Sequence, residues 1–142
     1  MTDEMEKFLA TVPLFRNLKD RQIKRIASRV RERNYKAGDV IVEQGKMGIG
    51  LFVIVTGEVD VVHVHPDGST HKLNTMYEKD FFGELSLLDE APRTASVIAN
   101  GDVTCLALTK LDFLDVLSEE PEMAIEMLKT MAQRFRRSMD HI

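Results

Sequence analysis

The feature that most constrains the fold is the central stretch from about residue 34 to residue 109, where short β-branched and aromatic runs alternate with glycine turns. The run "LFVIVTGEVDVVHVH" is interrupted by Gly57, and "PDGSTHKLNTM" supplies a turn and a returning strand. These patterns predict a β-hairpin over Val59–Met76. "TASVIA" and "VTCLALT" predict two more strands around the turn "NGD". Many short strands with glycine turns favour a barrel, a roll or a sandwich.

Both flanks of this stretch show helical periodicity instead. In the first third, Asp20 is the expected N-cap of a helix whose apolar stripe is Ile23, Ile26, Ala27 and Val30. In the last third, 110–118 predicts a short amphipathic helix, and Pro121 opens a longer one. The apolar stripe predicted for that longer helix consists of Ala124, Met127, Leu128, Met131, Phe135 and Met139.

Composition limits the classes of function. The chain has 142 residues and a net charge of -4, which gives no general attraction to nucleic acid or to anionic membranes. Its one cysteine, Cys105, excludes an internal disulfide and any multi-cysteine metal site, and a reducing cytoplasm fits best. We expect a core thiol there and find no nucleophile and base at catalytic spacing, so no enzyme is predicted. No apolar run reaches membrane-spanning length.

The segment "FGELSLLDEAPRTASV" carries the most informative chemistry in the chain. Gly83 permits close approach of the backbone to a ligand, and a helical turn after it would point N–H groups at an anion. The guanidinium of Arg93 suits a phosphate, whereas the carboxylate of Glu84 suits a group that donates hydrogen bonds, such as a sugar hydroxyl. Together they match a ribose phosphate.

This segment closely resembles the phosphate-binding cassette of cyclic nucleotide-binding domains, which occur in bacterial catabolite activators, protein kinase regulators and cyclic nucleotide-gated channels. "YKAGDVIVEQG" and "LFVIVTGEVDVV" resemble the same family's first strands and central glycine turn. The resemblance covers most of the chain. It implies a mainly β fold with flanking helices: an eight-stranded, jelly-roll-like β-roll with N-terminal helices, a short cassette helix and a C-terminal lid helix.

The resemblance also assigns roles to residues. Glu84 is expected to bind the ribose 2′-hydroxyl, and Arg93 is expected to bind the cyclic phosphate. The remaining cradle is formed by Gly83, Leu85, Ser86, Thr94 and Ala95. The structural alternative is that Glu84 merely caps a short helix and Arg93 pairs with a nearby surface carboxylate. No cofactor is implied; the ligand itself is cyclic AMP or cyclic GMP.

Three further positions match residues that face the base in this family. Val61 and Leu73, on the predicted hairpin, are expected to line the pocket, with ordinary core packing as the alternative. Ser138 matches a hydroxyl that reads the adenine amino group, and the alternative is an exposed helix serine. Thr94 does not choose between the bases, because the "RTA" pattern accompanies either ligand. We therefore favour cyclic AMP on Ser138 alone.

The expected mechanism is a population shift in which ligand favours the docked state of the C-terminal helix. Its apolar stripe would pack on the β-unit or pair with a second copy as a homodimer, and the effector is unknown. We expect a single domain: N-terminal helices over 1–31, the β-roll over 32–109 with the cassette at 82–97, and C-terminal helices over 110–142. The sequence ends at Ile142, so we expect a sensor subunit or an excised sensory domain without direct DNA binding.

Two other classes of protein remain open. In a cupin-like metal protein, His63, His65 and His71 would hold a divalent metal across the hairpin, but no glutamate follows His65 at the required spacing. In a degenerate interaction domain the fold would persist without the ligand. The presence of both Glu84 and Arg93 argues against that alternative.

Overall fold

The computed structural model describes residues 2–46, 50–83 and 94–139. In these ranges the helices are α1 (Thr2–Thr11), a 3-10 turn (Pro13–Phe15), α2 (Asp20–Ala27), α3 (Lys110–Glu119) and α4 (Met123–Met139). The strands are β1 (Arg31–Tyr35), β2 (Val40–Val42), β3 (Gly50–Thr56), β4 (Val59–Val64), β5 (Thr70–Met76), β6 (Phe81–Phe82), β7 (Ser96–Ala99) and β8 (Val103–Thr109).

The described strands form two four-stranded antiparallel sheets. One sheet has the order β1-β8-β3-β6 and the other has the order β2-β7-β4-β5. The predicted eight-stranded β-roll, with helices before and after it in sequence, is therefore confirmed. The predicted cassette helix lies outside the described residues. Strands β7 and β8 also form as predicted, but they belong to different sheets, so the turn between them carries the chain from one layer to the other.

The predicted hairpin is confirmed as β4 and β5, which pair antiparallel. His63 lies opposite His71, and the register shifts between the pairs Val61–Asn74 and Val62–Lys72. Leu73 is thus the extra residue of a β-bulge on β5. A bulge changes the direction of its side chain, and nothing in the hydrophobic pattern of one strand predicts it.

The core of the strand unit, Val30–Lys110, lies between the two sheets. It combines buried residues of both layers: Val42, Phe52, Ile54, Val59, Phe82, Val97, Ala99, Val103 and Cys105. The Cys105 thiol is fully buried, which confirms a core thiol, and burial raises its pKa to about 12. Because the thiolate is the reactive species, this side chain is protonated and inert near neutral pH.

The helical unit comprises the described residues up to Arg29 and from Leu111 onward. Helix α2 starts at Asp20, but Lys19 is its N-cap rather than Asp20. Val30 lies beyond the end of α2, so its place in that helical stripe was wrong. Helix α4 starts at Met123 rather than at Pro121, because the intervening residues form a turn. None of the described helices is long and apolar enough for a membrane span.

The predicted stripe of α4 divides into a buried and an exposed face. Met127 is buried, whereas Leu128, Phe135 and Met139 expose half or more of their side chains. Ile125, which the predicted stripe omitted, is also exposed. The described part of the chain therefore leaves apolar surface of this helix uncovered.

Candidate functional site

The segment predicted to bind phosphate begins where β6 ends. Phe82 pairs with Phe52 of β3, and the two rings stack with centroids 5.2 Å apart and planes 7° from parallel. Gly83 follows with a positive φ of 86°, a conformation that favours glycine. A buried aromatic pair thus fixes the start of the segment, and the glycine redirects the chain immediately afterwards.

A tight turn positions β6 itself. The N–H of Lys79 donates to the Ile54 carbonyl at 2.8 Å, and the N–H of Ile54 donates to the Asp80 carbonyl at 2.9 Å. The Asp80 carboxylate in turn accepts the N–H of Tyr77 at 2.9 Å. These bonds hold the short β6 on β3, so the residues that lead into Gly83 have a defined path.

The other end of the segment is anchored by Ser96 and Gln44. Ser96 is buried at the start of β7, and its hydroxyl accepts the N–H of Gln44 at 2.9 Å. The side-chain amide of Gln44 donates to the Val64 carbonyl at 3.0 Å and accepts the Val64 N–H at 2.8 Å. Gln44 therefore joins the ends of β2, β4 and β7. No local sequence pattern predicts this role of Gln44, because its partners lie 20 and 52 positions away.

Several predicted ligand residues lie outside the described residues. These are Glu84, Leu85, Ser86 and Arg93, together with the side chain of Ser138 in the last turn of α4. Of the predicted cradle, the structure describes Gly83, Thr94, which is exposed, and Ala95, which is half-buried. The binding roles of all these residues stay predictions.

The two predicted base-lining residues have different surroundings. Val61 is half-buried, packs against the core of the strand unit and lies opposite Val97 of β7. Leu73 occupies the bulge of β5 and exposes 55% of its side chain. Core packing accounts for Val61 as it stands. Among the described residues, Leu73 has no comparable packing, so core packing does not account for it.

The three hairpin histidines lie close together without forming a metal site. The rings of His63 and His65 have centroids 4.9 Å apart, and those of His65 and His71 are 6.5 Å apart. Across the described part of the chain, no three histidine, cysteine or carboxylate side chains are placed to hold a metal ion. The described residues therefore give the metal alternative no support.

Asp67 has a structural role in the same hairpin. The hydroxyl of Ser69 donates to its carboxylate at 2.6 Å, and the Ser69 N–H donates at 2.9 Å. These two bonds hold the pKa of the Asp67 carboxyl below its ordinary value. The arrangement is that of an aspartate that stabilises a turn.

Comparison with known proteins gives consistent matches. Residues 32–120 match the family model of the cyclic nucleotide-binding domain. A cAMP-dependent protein kinase regulatory subunit from Blastocladiella emersonii is 33% identical over 79% of this chain. A cyclic AMP receptor protein from Thermus thermophilus is 33% identical over 87% of it. The chain spans 28% of the first relative's length and 57% of the second's.

A solved structure extends the match to the three-dimensional fold. It is the N-terminal domain of a transcriptional regulator from Streptomyces coelicolor A3(2). It superposes with a TM-score of 0.81 at 34% sequence identity, and the match covers 94% of each chain. The similarity therefore includes helices and strands alike.

Proposed function

The chain belongs to the cyclic nucleotide-binding domain family, and from that premise we propose that it binds cyclic AMP in preference to cyclic GMP and reports occupancy through α4. The observation that carries the proposal is the family match over residues 32–120, which spans the whole segment from Gly83 to Ala95. Its role is regulatory rather than enzymatic. A cytoplasmic location is part of the proposal, supported by the buried, unpaired thiol of Cys105.

In the proposed complex, the segment between β6 and β7 binds the sugar and the phosphate. Glu84 accepts a hydrogen bond from the ribose 2′-hydroxyl, and the Arg93 guanidinium neutralises the cyclic phosphate. Gly83, Leu85, Ser86, Thr94 and Ala95 complete the cradle. The anchoring of both flanks, by the Phe52–Phe82 stack and by the Gln44–Ser96 bond, supports this role because flanking residues that are already fixed need not be ordered on binding.

Preference for the adenine base is proposed on two grounds. Ser138 lies near the C-terminus of α4, where a hydroxyl would read the exocyclic amino group. Two of the relatives named above are described as cAMP-dependent and as a cyclic AMP receptor. Val61 and the exposed Leu73 would line the same pocket, and the base would then bury the apolar surface of Leu73.

Transmission is proposed to use α4 as both lid and dimer contact. The exposed residues Ile125, Leu128, Ala132, Phe135 and Met139 follow one another at spacings of three and four. Such a pattern is typical of a helix that pairs with another helix. A second copy of the chain would cover this stripe, and ligand would shift the population towards the paired, docked helix. An effector of unknown identity would read that state, without direct DNA contact by this chain.

The first test is isothermal titration calorimetry with cyclic AMP and cyclic GMP. We expect both to bind, cyclic AMP more tightly. Arg93→Ala should weaken binding by about 10- to 100-fold, because a charge-assisted hydrogen bond contributes about 1.5–3 kcal/mol. Arg33→Ala serves as the matched control and should bind as the wild type does, since Arg33 is exposed on β1, at the opposite edge of its sheet from β6. If neither nucleotide gives heat, or if both variants bind equally, the proposal fails.

A further inference from the structure

A buried carboxylate lies at the junction between α3 and α4. Glu120 follows α3 directly, and its side chain is only 7% exposed. The Nε of Arg21 lies 3.1 Å and 3.0 Å from its two oxygens, and Nη2 of the same residue lies 2.8 Å from Oε1. The Nε of Arg25 donates to Oε2 at 3.1 Å. A buried charge is costly without hydrogen-bond partners, and α2 supplies those partners to the Glu120 carboxylate.

A third residue of α2 completes the cluster around Glu120. The Nε2 of Gln22 lies 3.5 Å from Oε1 of Glu120, and Gln22 is itself buried. Its Oε1 accepts the N–H of Lys19 at 2.9 Å, which fixes the orientation of the amide. The donor side of Gln22 therefore faces Glu120 because the acceptor side is already engaged.

The backbone of Glu120 connects the two helices of the junction. Its N–H donates to the Val116 carbonyl of α3 at 2.8 Å, and its carbonyl accepts the N–H of Met123, the first residue of α4, at 3.1 Å. Three helices thus meet at a single residue. The side chain is fixed by α2, and the two backbone groups are fixed by α3 and α4.

Further ion pairs extend the contact between α2 and α3. Arg25 pairs with Glu119 at 2.9 Å. Arg29 pairs with Asp112 at 3.0 Å and with Asp115 at 3.2 Å. Arg29 lies just beyond the end of α2. As the arginine number rises from Arg21 to Arg29, the number of the acidic partner falls, so this segment runs antiparallel to α3. This arrangement gives α2 a fixed direction against α3.

We infer that Glu120 is a positioning residue. Its side chain holds the turn between α3 and α4 against α2, and this contact fixes the direction in which α4 leaves α3. Without its charge, α2 and α3 would keep their other ion pairs, but the turn between α3 and α4 would lose its buried side-chain anchor. Helix α4 would then sample a wider range of directions. The inference rests on the proposed function in one respect, namely that α4 is the helix that reports ligand.

Amide hydrogen exchange on the Glu120→Gln variant tests the inference, with glutamine chosen because it keeps the size of the side chain. The N–H of Met123 bonds to Glu120 and that of Ala124 bonds to Pro121, so both amides report on the turn. We expect both amides to exchange about tenfold faster in the variant, because the turn opens locally more often. The exchange of the amides of β3 and β8 should be unchanged. Glu122→Gln removes an exposed carboxylate that pairs with Lys19 and should change neither.

A distance measurement tests the direction of α4 itself. Spin labels on cysteines placed at the exposed positions Lys24 and Gln133 join α2 to α4, and the buried Cys105 does not compete for the label. With the doubly labelled chain diluted into unlabelled protein, Glu120→Gln should broaden the distance distribution, and Glu122→Gln should not. If Glu120 only stabilised the fold, Glu120→Gln would lower the melting temperature without broadening the distance distribution.

The inference is overturned if exchange rises equally in β3 and β8, or if the distance distribution stays narrow in Glu120→Gln. Should that variant fail to fold, Arg21→Gln removes the two-oxygen contact while Gln22 and Arg25 remain, and the same two measurements apply. Neither measurement uses a nucleotide. A chain that binds no nucleotide would therefore refute the proposed function and leave the result on Glu120 standing.

Discussion

Gly57 is constrained both by its positive φ and by close neighbouring atoms. Gly68 has the same φ without such neighbours, so comparing the two positions separates the two effects. It joins β3 to β4 with φ at 90°, and a Cβ there would collide with the carbonyl oxygen of Asp102. Gly68, in the turn between β4 and β5, has the same φ of 90° but no atom within 4 Å of such a Cβ. Alanine at Gly68 should cost only the conformational strain, about 1–3 kcal/mol.

Alanine at Gly57 should cost measurably more, because the strand ends must also separate. Urea unfolding of both variants measures the difference in the free energy of unfolding. Equal losses would show that the Asp102 backbone moves aside easily and that φ alone requires glycine at this turn.

The packing of α2 on the α3–α4 junction should depend on pH in the acid range. Arg21, through its hydrogen bonds, holds the pKa of the Glu120 carboxyl below its ordinary value, although burial acts in the opposite direction. A depressed folded-state pKa contributes stability that is fully present above the unfolded-state pKa, about 4.3 for glutamate. That contribution is lost as the pH falls through the lower folded-state pKa.

Melting temperatures of the wild type and Glu120→Gln, measured between neutral and acid pH, test whether the stability that Glu120 contributes falls on acidification. The advantage of the wild type should be constant above about pH 4.3 and should shrink below it. Glu122→Gln is the control, because it measures how the loss of one exposed carboxylate alone changes the pH dependence of the melting temperature. An advantage that grows on acidification would contradict the assignment of the ion pairs to the folded state.

The sequence predicted those elements whose signals are local. The β-branched runs and the Pro-Asp-Gly turn specify β4 and β5 because strand pattern and turn chemistry act over a few residues. The bulge at Leu73 escaped prediction because it depends on the register with β4. Gln44 and Glu120 escaped it because their partners lie 20 to 99 positions away in sequence. The cassette was predicted from its motif, and its ligand contacts stay predictions.

The exposed stripe of α4 predicts self-association of the whole chain. Phe135 exposes 66% of its side chain in the middle of the stripe, and burying it in both copies should contribute about 1.5–3 kcal/mol per chain. Phe135→Glu should therefore weaken dimerisation by about 100-fold or more. Sedimentation equilibrium measures this directly.

Gln133→Glu adds the same charge at an exposed position outside the stripe, so it should leave the association unchanged. If the wild-type chain is monomeric at every accessible concentration, α4 does not pair with a second copy. If both variants weaken association equally, the effect is one of net charge rather than of the apolar stripe.

The order β1-β8-β3-β6 has a consequence for synthesis on the ribosome. Strand β8 lies between β1 and β3, yet it is the last of the described strands to emerge, and Arg31 of β1 pairs with Ala107 of β8. A nascent chain that has not yet exposed 103–109 has nothing to join its first strand to its third. We therefore expect this sheet to assemble in one late step, only after residues 103–109 have left the exit tunnel.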